Sequence, residues 1–244
     1  MNGWVFIDKP SGITSFQAVN RIKKALGVKK IGHSGTLDPF ATGVLAIAIG
    51  EATKSIELFN KSKTYEFYVS FGELKDTDDI TGKTIKTSKN IPTKKDIGSC
   101  INNFLFNYEQ VPPNYSAVKV DGVRAYKLAR KKKEFSLKAK KVQISNMNFF
   151  ETDKSNEFRF VADCSTGTYI RSIARDLGVM LDTYAYVKEL RRTKIGQITE
   201  KDIILLDKFL ELVHIGDHFE AIYSIRNVLD DIPAVLMDRE LSRS

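Results

Sequence analysis

The chain has 244 residues, of which 42% are hydrophobic and 10% aromatic, enough for a packed core and too apolar for a disordered chain. Its net charge of +8 is unevenly placed: residues 200–244 carry 10 acids and 5 bases, so residues 1–199 carry about +13, a balance that suits a polyanion partner. Two cysteines far apart, three scattered histidines and no apolar run near the roughly 20 residues of a bilayer span argue against a disulfide framework, a metal centre and a membrane protein.

The start, MNGWVFIDKP, lacks the basic-then-apolar layout of a signal peptide, so a cytoplasmic location is the expectation. Trp4 to Ile7 reads as a short strand, followed by a turn at Asp8 to Gly12. Thr14 and Gln17 have capping-box spacing, opening a helix with Phe16, Val19, Ile22 and Leu26 on one face and Gly27 at its end. Val44 to Ile49 is an apolar strand, and a short helix is expected over 52–60. Residues 64–73, rich in Tyr, Phe and Val, read as a strand. The DTDDITG run at 76–82 lacks the spacing and terminal glutamate of a calcium loop and reads as a turn.

Further along, residues 93–107 suit a helix. A strand from Tyr115 to Val120, a tight turn at Asp121-Gly122 and a helix through Arg130 follow. Two strands are expected over 138–151 and 157–164, a helix from Thr168 to Leu181, and a strand over 184–194. The acidic tail reads as two helices, about 203–213 and 217–229. Strands outnumber the crossovers of a regular βαβ alternation, which favours an α+β fold. Between these elements, YKLARKKKEFSLKAKK at 126–141 carries eight bases and one acid, the densest basic patch and a natural phosphate-contact surface.

The stretch GHSGTLDPFATGVL at 32–45 places one carboxylate, Asp38, in a glycine- and proline-punctuated loop just before the apolar strand. Such a loop can present a reactive side chain from a rigid scaffold. Taken alone, Asp38 is more simply read as capping a turn. With GEATK at 50–54, however, this stretch resembles the catalytic signature of the bacterial TruB family, the tRNA pseudouridine-55 synthases. FIDKPSGITS at 6–15, KTYEF at 63–67, VPPNYSAVKVDGVRAYKLAR at 111–130, CSTGTYIRSIARDLG at 164–178 and LRR at 190–192 resemble the family's other blocks, in the family's order.

The resemblance implies the pseudouridine synthase fold, a mixed, mostly antiparallel sheet with helices around it and a central active cleft. It implies isomerisation of uridine-55 in the T loop of tRNA, without cofactor or metal. Asp38 then maps onto the nucleophile and Arg171 onto an arginine that keeps the carboxylate ionised and oriented. Tyr65 maps onto a tyrosine that stacks on the flipped uracil and can relay a proton. His33 is implied to help hold the RNA loop open, Leu190 to line the base pocket, and Lys9 and Pro10 to shape the floor. Lys131, Lys132 and Lys133 are the expected phosphate contacts. The partner is the T stem-loop; neither a membrane nor an obligatory protein partner is implied, and a monomer is expected.

Family members usually carry a small C-terminal RNA-binding PUA domain. Here the expectation is one catalytic domain over 1–244, with 200–244 as a helical acidic tail too short for a complete PUA domain and Ile232 to Met237 as one remnant strand. Two other readings compete. A non-catalytic RNA-binding protein would not need Asp38, Tyr65 and Arg171 together. A glycoside or nucleoside hydrolase would want a second catalytic carboxylate, which no motif position supplies.

Overall fold

The computed structural model describes residues 1–59 and 61–229. In chain order the strands are β1 (Gly3–Lys9), β2 (Ile31–Ser34), β3 (Thr42–Ile49), β4 (Lys63–Phe71), β5 (Glu73–Lys75), β6 (Thr84–Thr87), β7 (Tyr108–Gln110), β8 (Lys119–Val120), β9 (Val123–Arg124), β10 (Lys140–Val142), β11 (Ile144–Glu151), β12 (Glu157–Cys164), β13 (Ala185–Ile195), β14 (Ile198–Thr199) and β15 (Ile204–Leu205). The α-helices are α1 (Ser15–Leu26), α2 (Lys94–Cys100), α3 (Ala125–Arg130), α4 (Ile170–Met180), α5 (Leu206–Ile215) and the single turn α6 (Ile225–Val228). The result is the α+β architecture read from the sequence.

One sheet organises the molecule, with strand order β11-β12-β4-β13-β3-β1-β15; β14 attaches to β13 and β2 to β3. Its pairings are antiparallel except β13 with β3 and β1 with β15. β3 is the hinge of the design. It pairs with β1 along its whole length, while its other side pairs with β13 at Thr42 and Gly43 and with β2 from Ala46 to Ile49. The loop carrying Asp38 emerges from this fork. At Gly43, where φ is +99°, an added Cβ would lie 2.2 Å from the Arg192 carbonyl oxygen, so only glycine fits the close approach of β3 to β13.

The apolar run of β3 is buried on both faces, and alternation sorts it into two cores. Val44, Ala46 and Ala48 pack with Trp4, Phe6 and Phe59, and with Tyr223, Ile225 and Val228 of the tail. Leu45, Ile47 and Ile49 pack with Val5, Ile7, α1 and Phe209 of α5. Cutting fully buried Leu45 to alanine here costs about 2–5 kcal/mol by general experience with large-to-small core changes. A third core gathers Phe67, Phe160, Ile170, Ile173, Leu177 and Leu190, seating α4 on the sheet.

The Thr14–Gln17 capping box forms as read, and Gly27 closes α1 at φ +64°. Phe16 is a correction: it is 71% exposed, and the buried face is built from Ser15, Ala18, Val19 and Ile22. Phe16 precedes that stripe and lies outside its arc. The helix expected over 52–60 is a 3-10 turn at Gly50–Ser55, with Asn60 outside the described residues. The one expected over 93–107 stops as α2 and continues as a 3-10 turn, Ile101–Phe104. In the tail, α5 forms, but the second expected helix is a 3-10 turn at Phe219–Ala221 followed by α6; between them Tyr223 pairs its backbone with Trp4 of β1, which interrupts the helix. The strand expected over 232–237 lies outside the described residues.

Candidate active site

The loop between β2 and β3 is fixed residue by residue. Arg192, fully buried on β13, donates from Nη2 to the Gly35 carbonyl (3.0 Å) and from Nε to that of Val44 (2.8 Å). Ser15, at the start of α1, bonds both backbone groups of Leu37: its Oγ donates to the Leu37 carbonyl at 3.1 Å and accepts from the Leu37 N–H at 2.9 Å. Lys9, also fully buried, donates from Nζ to the carbonyls of Pro10 (2.7 Å), Ile13 (2.8 Å) and Pro39 (3.3 Å). The Gly12 N–H adds a second bond to the Pro39 carbonyl at 2.8 Å. Burial pulls the Lys9 pKa down to about 8, against the pull of Asp38.

Asp38 therefore sits on a rigid loop, and Arg171 meets it in a bidentate pair: Nε to Oδ2 at 2.9 Å and Nη2 to Oδ1 at 3.0 Å. Arg171 is 3% exposed and makes three further contacts, to the Thr77 carbonyl (3.0 Å), the Tyr115 carbonyl (3.1 Å) and Asp79 Oδ2 (3.6 Å). A cation in the first turn of a helix opposes the helix dipole, so its place in α4 depends on these acceptors. The Asp38 side chain remains 32% exposed. Burial nonetheless raises its pKa; Arg171 opposes that shift and Asp79 adds to it. Arg171 orients the carboxylate as the sequence implies, but it does not outweigh the desolvation.

Tyr65 on β4 is 8% exposed and belongs to the same apolar cluster as Leu37 and Leu190. Burial raises its pKa; Arg192 works against this by charge and a hydrogen bond, and Asp38 adds to it. Its hydroxyl thus stays protonated at neutral pH. Leu190, 7% exposed on β13, completes an apolar wall. His33 lies on β2 opposite Ile47, half-buried, with Nδ1 unpartnered; burial and then Arg192 lower its pKa, so it is neutral. It makes no bond to Asp38 or Arg171. Lys131, Lys132 and Lys133 form the exposed turn after α3 and join no ion pair among the described residues. The structure thus pairs Arg171 with Asp38, puts Tyr65 within electrostatic reach of Asp38 and sets Leu190 in the apolar cluster of Leu37, while the exposed lysines join none of these contacts.

Sequence reasoning missed the partners beneath this surface. Asp79, read only as part of a turn, stands on the far side of Arg171 from Asp38. It is 4% exposed, and its Oδ1 accepts from Thr77 Oγ1 (2.8 Å), Thr81 N–H (2.9 Å) and Thr81 Oγ1 (2.5 Å). Its other oxygen, Oδ2, faces Arg171, so this carboxylate is committed to holding the turn and the guanidinium. Three acids among four residues, against the single neighbouring base Lys75, was the signal that a cation from elsewhere meets this turn.

Comparisons with known proteins identify the family. A family model for the TruB pseudouridylate synthase N-terminal domain matches residues 23–170, and one for the tRNA pseudouridylate synthase B C-terminal domain matches 171–236. The chain is 46% identical to the tRNA pseudouridine synthase B of Ehrlichia ruminantium, covering 95% of this chain and 79% of that one. It is 44% identical to that of Rhodospirillum rubrum, covering 96% and 77%. Among solved structures, one chain of a Cbf5-Nop10-Gar1 complex superposes with a TM-score of 0.74 at 25% identity, covering 95% of this chain, which spans 62% of that one. The family models and these relatives together cover nearly the whole chain, and the chain belongs to the TruB family of pseudouridylate synthases, enzymes that isomerise uridine within RNA.

Proposed function

We propose that the chain converts uridine-55 in the T loop of tRNA to pseudouridine, with Asp38 as the nucleophile. The observation that carries this reading is the bidentate Arg171–Asp38 pair, whose carboxylate stays partly open to solvent and acts electrostatically on Tyr65. The relatives' names supply tRNA as the substrate.

The reaction breaks the bond from the sugar C1′ to uracil N1 and joins C1′ to C5, so one proton leaves C5 and one is gained at N1. No electron acceptor and no net water are needed. Flipping the uridine out of its stack costs a few kcal/mol, offset by stacking on Tyr65 and by phosphate contacts. The ionised Asp38 adds to a carbon of the flipped nucleotide and later leaves, as carboxylates do in glycosyl-enzyme chemistry. Arg171 holds both oxygens, so the attacking lone pair is aimed before substrate arrives. The Tyr65 hydroxyl, kept protonated by burial, serves the proton movement, His33 helps hold the loop open, and Lys131, Lys132 and Lys133 meet stem phosphates. On this reading residues 1–244 form one catalytic domain with 200–244 as its tail, and the chain acts as a monomer without a protein partner.

The test is incubation of the purified chain with unmodified tRNA, without added cofactor or metal, followed by pseudouridine mapping. Modification at a single T-loop uridine supports the reading. An unmodified tRNA, or modification elsewhere, overturns it.

A further inference from the structure

Arg171 is not the only arginine that α4 turns toward this wall. Arg175 lies one helical turn further along and spreads its guanidinium in the same way. Its Nε donates to Asp176 Oδ1 (2.8 Å) and its Nη2 to the Val111 carbonyl (2.8 Å), while Nη1 faces Asp78 Oδ2 at 3.5 Å. Between the two arginines, Ser172 Oγ also donates to the Val111 carbonyl, at 2.7 Å. Both arginines therefore hold the same two segments. Arg171 takes Thr77 and Asp79 of the 76–82 turn and Tyr115 of the next segment. Arg175 takes Asp78 of the same turn and Val111 of the same segment.

Asp78 is an unusual residue to find there. It is 8% exposed and has φ +60°, a left-handed conformation that aspartate and asparagine tolerate better than other side chains with a Cβ. Its backbone is pinned, the N–H to the Lys75 carbonyl (3.1 Å) and the carbonyl to the Val187 N–H (3.0 Å). Burial raises its pKa to about 6; Arg175 and Arg171 oppose this, and Asp176 and Asp79, which also face it, reinforce it. At neutral pH the fold therefore keeps a buried anion on a strained backbone, next to the residue that contacts Arg171. Strain and a costly charge beside an active cleft are the marks of a functional constraint.

We propose that Asp78 and Arg175 are a positioning pair for the isomerisation. They hold the 76–82 turn where the Thr77 carbonyl and Asp79 meet Arg171, and so fix the guanidinium that aims Asp38. Neither residue touches the reacting atoms. The proposal rests on the reading of Asp38 as nucleophile.

The experiment compares Asp78→Asn, Arg175→Gln, Arg175→Lys and the double variant Asp78→Asn/Arg175→Gln. Single-turnover rates at saturating enzyme, tRNA dissociation constants and melting temperatures are measured for each. Asparagine keeps the shape and tolerates the left-handed backbone, so Asp78→Asn folds. Its rate falls about tenfold, a mid-range coupling for residues in contact. Its affinity for tRNA stays within about twofold, since the pair is buried away from phosphates. Its melting temperature at pH 7 does not fall, because a buried anion has been removed. Arg175→Gln slows to a similar degree, Arg175→Lys recovers part of the rate, and the double variant is no slower than the slower single one. Additive losses in the double variant, wild-type rates in the single ones, or rate losses matched by loss of melting temperature would each overturn the proposal. Wild-type turnover is measured first. Its absence overturns the reading of the site, whereas an active wild type with fully active variants overturns the positioning pair alone.

Discussion

Two loops of this protein carry the chemistry and the charge, and they are built in opposite ways. Residues 35–39 are short and held by side chains from α1, β1, β13 and α4. Residues 131–139, after α3, carry exposed lysines and are held chiefly by backbone bonds back to α3. The first loop has its interactions satisfied before substrate arrives, and the second keeps its cations unpaired. Reactive atoms must be aimed within tenths of an ångström, which needs a scaffold that does not reorganise. Phosphate attraction acts over several ångströms and tolerates motion. If that division holds, damage to the first loop removes rate and spares binding, and damage to the second does the reverse.

The largest effect is expected at Asp38. Asp38→Ala removes the nucleophile and abolishes isomerisation, while tRNA binding survives, because affinity comes from many phosphate contacts elsewhere. Appreciable turnover by purified Asp38→Ala protein would sink the mechanism. Tyr65→Phe comes next. It keeps the ring and its packing but loses the hydroxyl and its Arg192 hydrogen bond, and a proton-transfer role predicts a loss of about 10²-fold or more in single-turnover rate. A Tyr65→Phe rate equal to wild type would leave stacking as the only role of this residue.

Lys9 tests whether preorganisation itself matters. Lys9→Met fills similar space but abandons the carbonyls of Pro10 and Ile13 and leaves Pro39, in the catalytic loop, with the Gly12 N–H alone. Leaving such groups unsatisfied costs about 1–3 kcal/mol each where water cannot replace the donor, so a rate loss of roughly 10–100-fold is expected. The same residue gives a pH dependence. Burial depresses the Lys9 pKa to about 8, so the ammonium that bonds the loop is present below that value and lost as pH rises through it. Lys63, likewise buried and shifted to about 8, titrates in the same window, though its ammonium bonds Lys61 and Thr166 and not the loop. Single-turnover rate should therefore decline above about pH 8, well before Tyr65 ionises. A rate that stays flat to pH 9.5, about a unit and a half above the Lys9 value, would show that the loop keeps its place without the Lys9 ammonium.

What could be read in advance divides along the same lines. The strand β3 is a continuous apolar run, α1 announces itself by Thr14 and Gln17, and α4 by its spacing of Ile170, Ile173, Ala174 and Leu177; these are local signals. The tail misled because α5 has a sustained pattern and residues 217–229 do not, so packing against β1 decided their short turns. At the site, the loop of Asp38 was legible as a motif, but its supports were not. Arg171 meets Asp38 across 133 positions of sequence, and the Thr77, Tyr115, Pro39 and Gly35 acceptors are carbonyls, which every residue carries. Asp79 looked like a turn residue because it is one, and its charge acquires meaning only when α4 is folded beside it.

The smallest effect on rate, and the most direct test of the second loop, is expected from neutralising Lys131, Lys132 and Lys133 together. All three are exposed and without ion pairs among the described residues, so the fold has no need of them and the triple variant melts as wild type does. At saturating enzyme its single-turnover rate is close to wild type, because nothing at Asp38 has moved. Binding weakens, and the plot of log affinity against log salt flattens by about 1 for each phosphate that is no longer neutralised. An isolated T-arm stem-loop, carrying the phosphates this surface would meet, is expected to be modified nearly as well as full-length tRNA and to show the same flattening. An unchanged salt slope would mean that the lysines face away from RNA. A stem-loop that is not modified would mean that contacts outside the T arm are essential. A triple variant slowed at saturation would mean that this loop also shapes the catalytic geometry, and the division between aiming and attraction would fail.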